Sequence, residues 1–246
     1  MKQEVIQSEY WDRNAKRISD MNSQMSEIAK QEIENFFAFI GIKSNSNILE
    51  IGCGSGRFTI PLLRKGHQVT GTEVSIKNLE ELRHFAENEK LDSKLILKET
   101  SFEEPFLENK FDLAILGNVM HHFNPIKKQQ ILENIIKSLK PGGQIVIFEP
   151  NALFPFYLPY YLFFEWSGLQ KGIWAAEKGL FKSTSHSISG LLGKVGIINI
   201  QLKRHTIIPL RLERFLPGLN KINCFLERVP IINNFSAYLW LKGYRS

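Results

Sequence analysis

The sequence predicts an α/β fold, a mostly parallel sheet with helices packed on both faces. Short apolar runs alternate with helical segments of roughly ten residues between positions 47 and 151. The first run, "NILEIGCGSGRF" (47–58), ends in three alternating glycines, Gly52, Gly54 and Gly56. The second run ends in an acid, Glu73. Polar and glycine-rich chemistry at the carboxyl ends of neighbouring strands is where open α/β sheets bind ligands.

Taken in order, residues 5–20 read as a polar helix with the aromatic insertion "YWDRNA". Residues 24–40 repeat Met25, Ile28, Ile33, Phe36, Phe37 and Ile40 near the helical period, and Gly41 stands at the C-cap position. "ILEIG" is the first buried strand, and "RFTIPLLRKG" a helix closing at Gly66. "HQVTGTEVS" is a second strand, 76–89 a helix, and "SKLILKET" a third strand, followed by the loop "SFEEPFLENK". "FDLAILGNV" is the fourth strand, 127–139 a helix, "PGG" a turn and "QIVIFEPN" the fifth strand. Beyond Asn151 the alternation breaks at "ALFPFYLPYYLFF", whose two prolines argue against one uninterrupted helix. At thirteen residues it is also too short to span a bilayer, which takes roughly 20. A helix starting at 185–189, a strand "IINIQLKRHTIIP", a basic and apolar helical stretch and a last strand "SAYLWLKGY" complete the chain.

At 246 residues and 43% hydrophobic content the chain suits a single domain, 1–246, with a real core. It divides into an N-terminal helical cap (1–41), the alternating sheet region, and two insertions at 152–185 and 205–235. Cys53 and Cys224 have no zinc-like or disulfide-framework spacing and read as free thiols. With no apolar run for a signal peptide at the N-terminus, the expected location is cytoplasmic. The net charge of +6 is uneven: residues 1–151 carry −2 and residues 152–246 carry +8. That asymmetry points to an anionic partner or to a solvated basic face.

Glycine allows positive φ and close backbone approach, and the helix that follows offers unsatisfied N–H groups. A phosphate-binding P-loop would need Lys then Ser or Thr, which this loop lacks. A dinucleotide fingerprint would need glycine where Arg57 stands. Glu50, just before the first glycine, sits badly beside a pyrophosphate and suits a ligand with an amino group. Glu73 can accept hydrogen bonds from both hydroxyls of a ribose. Together they specify a nucleoside ligand without naming its tail.

"ILEIGCGSGRFTIPLLRKGHQVTGTEVS", "FDLAILGNVMHHF" and "LKPGGQIVIFEPN" resemble the motifs of class I S-adenosylmethionine-dependent methyltransferases, and "YWDRNA" resembles the cap of small-molecule members, the quinone-ring methyltransferases included. The resemblance covers about residues 10–151. It implies a Rossmann-like, seven-stranded, mostly parallel sheet with the last strand antiparallel, and S-adenosylmethionine as cofactor. It assigns the methionine portion to Gly52, Gly54, Gly56 and Glu50, the ribose to Glu73 and the adenine face to Val74. Thr100, followed by Ser101 and Phe102, stands where the family often has an Asp for the adenine amino group. Asn118 faces the methionine and substrate side, and Tyr10 and Trp11 close over the cofactor.

Candidate bases for methyl transfer are His121 and His122 beyond the fourth strand and Glu149 at the end of the fifth; each histidine can equally be a packing residue. His186 is a weaker candidate. "LGNVMHH" lacks the proline pair of base-methylating nucleic acid enzymes, and no cluster shows metal spacing, so neither DNA nor a metal is expected. Tyr157, Tyr160, Tyr161 and Trp166 either line an apolar substrate pocket or form the core of a lid helix. The stretch 205–235 fits a core helix, a pocket for a phosphorylated or lipid-linked substrate, or a helix at an anionic membrane surface. The expected activity is methyl transfer to a small organic, apolar or lipid-like acceptor. A non-catalytic cofactor-binding scaffold is the alternative, and an RNA methyltransferase a weaker one.

Overall fold

The computed structural model describes residues 2–23, 25–101, 103, 108–208 and 218–246. Two helices precede the sheet, α1 (Lys2–Ser23) and α2 (Glu27–Ile40). The Ser26 hydroxyl accepts from the Ala29 N–H at the start of α2, and Gly41 closes it at φ +72°. The chain then runs β1 (Asn47–Ile51), α3 (Thr59–Arg64), β2 (Gln68–Glu73), α4 (Ile76–Asn88), β3 (Leu95–Glu99), β4 (Phe111–Gly117), α5 (Lys128–Ser138) and β5 (Leu139–Pro150). It finishes with α6 (Tyr157–Trp166), α7 (Ile173–Glu177), α8 (Ser185–Lys194), β6 (Ile197–His205), α9 (Leu219–Leu226), α10 (Pro230–Asn233) and β7 (Tyr238–Arg245).

The seven strands lie in the order β3-β2-β1-β4-β5-β7-β6, and β7 runs antiparallel to both of its neighbours. β1 and β4 pair at the centre, in parallel, and are buried on both faces, which is why they read as continuous apolar runs. Ile33, Phe36 and Phe37 of α2 join Phe58, Leu62 and Leu82 against one face, around Phe148 and Trp240. Ile131, Leu132 and Ile135 of α5 join Ile188 and Leu192 of α8 on the other. Strand order reverses between β1 and β4, so their carboxyl ends splay into a crevice.

One local expectation is corrected. "PGG" does not precede β5 but lies inside it. Phe111 pairs with Leu139 and Leu113 with Gln144, so Lys140–Gly143 bulge out of the ladder with Gly142 at φ +72°. The prolines do keep the aromatic stretch from being one helix: 152–156 turn around Pro155, and α6 begins at Tyr157 with Pro159 as its third residue, where the backbone N–H has no helical partner to lose. Much of the basic stretch after β6, positions 209–217, lies outside the described residues. Cys53 is buried and Cys224 exposed, and both are free thiols. Among the described residues no helix is long and apolar enough to cross a membrane.

Candidate active site

The crevice at the ends of β1, β2 and β4 holds a cavity of about 310 Å³. Its floor is the glycine loop. Gly52 sits at φ +68°, and a Cβ there would come within 2.7 Å of Val119 Cγ2, so the loop and the turn after β4 touch through a missing side chain. Gly54 also lines the cavity, whereas Gly56 lies against Leu82, 2.5 Å from where its Cβ would be, and serves the packing of α4.

Glu73 anchors the loop to β2. Its Oε2 accepts from the Gly54 N–H at 3.1 Å, and its Oε1 from the N–H groups of Val74 and Ser75 at 2.8 and 3.0 Å. Burial still raises its pKa against those three bonds. Burial pushes the Glu50 carboxyl up to about 8; the Thr59 hydroxyl, donating at 2.5 Å, opposes the rise and the Glu73 charge adds to it. Val74, Thr100 and Ser101 line the same wall, while Phe102 lies outside the described residues.

The opposite wall is Asn118, at φ +54°, with Val119 and Gly117. Asn118 Oδ1 and Asn78 Oδ1 are buried without a hydrogen-bond partner, and both residues line the cavity. Two carboxyls and two orphaned amide oxygens make this an acceptor-rich site. It calls for a ligand that is cationic and rich in N–H and O–H donors. An adenosyl sulfonium with its ammonium, ribose hydroxyls and adenine amine fits; a pyrophosphate does not.

α1 roofs the cavity with Gln7 and Trp11. The Trp11 indole N–H donates to Gln7 Oε1 at 2.8 Å, and Gln7 Nε2 donates to the Ala176 carbonyl at 2.7 Å. Tyr10 points away, into a small cluster with Tyr161, Ile173, Ala176 and Leu180, and burial pushes its hydroxyl up to about 12.

The two histidines divide. His121 is buried behind the cavity with both ring nitrogens taken: Nδ1 lies 2.6 Å from Glu149 Oε2 and Nε2 3.0 Å from Glu177 Oε2. Burial alone would lower its pKa, but the two carboxylates raise it to about 10. The second Glu149 oxygen accepts from the N–H groups of Val119 and Met120 at 2.7 Å each. Neither His121 nor Glu149 is placed to meet an acceptor; they form a clasp that holds the turn after β4. His122 does line the cavity. Its Nδ1 lies 3.2 Å from the Ala176 carbonyl, which can only accept, so Nδ1 carries the proton and Nε2 is bare. Burial first, then the charge on His121, pushes its pKa down to about 4.

The remaining candidates are not brought to the cavity. Tyr157 donates to the Ala237 carbonyl at 2.9 Å, Tyr161 packs in the Tyr10 cluster, Tyr160 and His186 are exposed, and Trp166 is 86% exposed. Residues missed in the sequence are Gln7, Asn78, Arg57 and Glu177. Arg57 is the one Lys or Arg among the described residues lining the cavity; its Nη2 donates to Glu32 at 2.8 Å and its guanidinium lies 5.0 Å from the Phe148 ring centre.

A family model described as a methyltransferase domain matches residues 48–143. Over 115 residues the chain is 30% identical to a ubiquinone biosynthesis O-methyltransferase of Rickettsia typhi, a match covering 47% of this chain and 45% of that one, so the chain spans about half the length of this relative. Among solved structures, a Thermotoga maritima S-adenosylmethionine-dependent methyltransferase superposes with a TM-score of 0.66 at 15% identity, covering 98% of this chain and 100% of that one. Haemonchus contortus phosphoethanolamine N-methyltransferase 2, solved with S-adenosyl-L-methionine, gives 0.64 at 17% identity, covering 87% and 52%. These low identities speak for the fold. The domain match spans β1 to the bulge of β5, the part of the chain that builds the loop and its acid. Over residues 48–143 the chain is thus similar to a methyltransferase domain, and it shares its fold with S-adenosylmethionine-dependent methyltransferases of known structure.

Proposed function

We propose that the chain transfers a methyl group from S-adenosylmethionine to a small organic acceptor. The carrying observation is the acceptor-rich cavity, in which Glu50, Glu73, Asn78 and Asn118 surround a backbone cradle. When bound, the cofactor supplies an electrophilic methyl on a sulfonium sulfur. Gly52, Gly54 and Asn118 would hold its methionine portion, Glu73 its ribose, and Val74, Thr100 and Ser101 its adenine side.

Phe58, Val119, Phe123 and Ile131 give the rest of the cavity an apolar lining, which supports an acceptor with an apolar body. His122, neutral and with a bare Nε2, can accept a hydrogen bond from an acceptor O–H or N–H and orient its lone pair. With its pKa near 4 it is an orienting group more than a proton store. Holding two reactants in line is the larger contribution, up to roughly 7 to 11 kcal/mol in the best intramolecular cases.

Calorimetric titration with S-adenosylmethionine tests the reading. Wild-type protein should bind it, and Glu73→Ala should bind roughly a hundredfold more weakly, as losing two charge-assisted hydrogen bonds at about 1.5 kcal/mol each implies. Unchanged affinity would remove Glu73 from the ribose. The reaction is further inferred to need no metal. His121, His122 and Glu177 do bring three ligand-type atoms within 4.8 Å, but both nitrogens of His121 are already engaged by carboxylates. Transfer of label from methyl-labelled cofactor to a cell-extract acceptor should survive a chelator, and its loss on chelation would overturn the metal-free reading.

A further inference from the structure

We propose that α6, with α9 and α10, forms a docking face for an anionic lipid bilayer. α6 has the sequence "YLPYYLFFEW", and of its ten residues Tyr161 alone is buried. A helix on a soluble surface normally hides an apolar stripe and shows a polar one. This one turns apolar side chains to solvent instead, with Phe163 54% and Trp166 86% exposed. Phe225 of α9 and Ile231 of α10 add two more, at 67% and 76%. The two segments are neighbours. Asn151, leading into α6, donates through Nδ2 to the carbonyls of Asn234 and Ser236 at 2.9 and 2.7 Å, and Tyr157 donates to Ala237. The entrance to α6 is therefore bound to the exit from α10, which brings these two exposed apolar segments to the same region of the molecule.

Charge selects the occupant. In this part of the chain the described acids are consumed internally. Glu165 accepts from the N–H groups of Gly172 and Trp174, Glu177 holds His121, and Glu227 holds His205 and the Thr206 N–H. Its exposed cations are not consumed. Lys171, Lys178, Lys182, Lys221 and Arg228 are exposed and have no ion-pair partner among the described residues. Exposed apolar and aromatic side chains in the same segments as unpaired Lys and Arg match the interface of an acidic bilayer, where rings enter the headgroup layer and cations meet lipid phosphates. A second copy of the chain would satisfy the apolar surface but leave the cations unmatched, since the acids of this region are already engaged.

The face also lies one layer from the cavity. Tyr161 of α6 packs with Ala176, whose carbonyl holds His122, so an acceptor dissolved in the bilayer would have a short path to the site. That consequence rests on the methyl-transfer reading; the docking itself does not.

The test is sedimentation of the full chain with two kinds of vesicle, phosphatidylcholine alone and an equal mixture of phosphatidylcholine and phosphatidylglycerol. The protein should pellet with the acidic vesicles, stay in solution with the neutral ones, and be released by salt. The double variant Phe163→Glu, Trp166→Glu should bind acidic vesicles at least about tenfold more weakly while keeping its thermal melting and its affinity for S-adenosylmethionine. A wild type that ignores acidic vesicles, or a double variant that pellets equally well, overturns the proposal. So does light scattering that finds a wild-type dimer which the double variant converts to monomer, since the face would then belong to a second copy. A protein that pellets but fails to bind the cofactor would overturn the functional reading alone.

Discussion

At the scale of single residues, the site works through carboxyls placed where water cannot reach them. Glu50 is buried beside Glu73 with a pKa of about 8, far above the ordinary glutamate value near 4.3. The native state therefore keeps a proton on Glu50 between about pH 4.5 and 8 that the unfolded chain has already released. Stability from this residue is present at low pH and is lost as pH rises through that window. Glu50→Gln should flatten that part of the pH dependence and raise the melting temperature of the ligand-free protein near pH 8, an effect of the order of a few kcal/mol. A cationic ligand reverses the preference by favouring the ionised form. Binding should release a proton near neutral pH, seen as a calorimetric enthalpy that changes with the ionisation enthalpy of the buffer, and Glu50→Gln should abolish that release. An identical pH–melting profile for the two proteins would mean that Glu50 is ionised throughout.

At the scale of elements, the clasp Glu149–His121–Glu177 joins three pieces that sequence separates: β5, the turn after β4, and α7. It also sets the neighbour, because the same α7 presents the Ala176 carbonyl that fixes the His122 tautomer. His121 carries a raised pKa, so its contribution to stability is complete below about 6.5 and is lost as pH climbs through about 10. Glu177→Gln leaves a buried charge short of one partner and should cost about 3 kcal/mol, read as a lower denaturation midpoint at pH 7, with a smaller wild-type-to-variant gap above pH 10. The glycine loop and Glu73 were legible in the sequence because each lies at the end of its own strand and needs no distant partner to be recognised. Glu177 was not, since nothing at position 177 announces a histidine 56 residues earlier. Tyr157, Tyr160, Tyr161 and Trp166 left two readings open for a related reason: composition shows that a helix is aromatic, while the direction each ring faces depends on what the rest of the chain packs beneath it, and here Tyr157 and Tyr161 pack inward while Tyr160 and Trp166 face out. "PGG" likewise reads locally as a turn, and only the register between β4 and β5 reveals a bulge within a longer strand.

At the scale of the whole molecule, the sheet is far more deeply buried than the helix that roofs its cavity. Two apolar cores grip the central strands from both faces, whereas α1 buries only Gln7, Tyr10 and Ala15 among its described side chains. Its ties are the Tyr10 cluster with Tyr161 and Ile173 and a few polar contacts: Asp12 accepts from the Ser75 hydroxyl at 2.5 Å at the head of α4, and Gln7 reaches Ala176. Yet Gln7, Trp11 and Ile18 line the cavity, so a cofactor held there would lie against them. Opening α1 sacrifices little apolar burial, which makes it the element expected at the low-stability end of the molecule. Ligand contacts to the roof would stabilise the closed state by mass action, by about 2.7 kcal/mol at a hundredfold excess over the dissociation constant. Limited trypsin digestion should therefore cut first within α1, at Arg13, Lys16 or Arg17, and saturating S-adenosylmethionine should slow that cut by roughly a hundredfold while cleavage in the sheet region stays slow in both states. Cleavage of α1 at the same rate with and without the cofactor would show that the roof is not part of the binding site, and would move recognition wholly onto the strand ends.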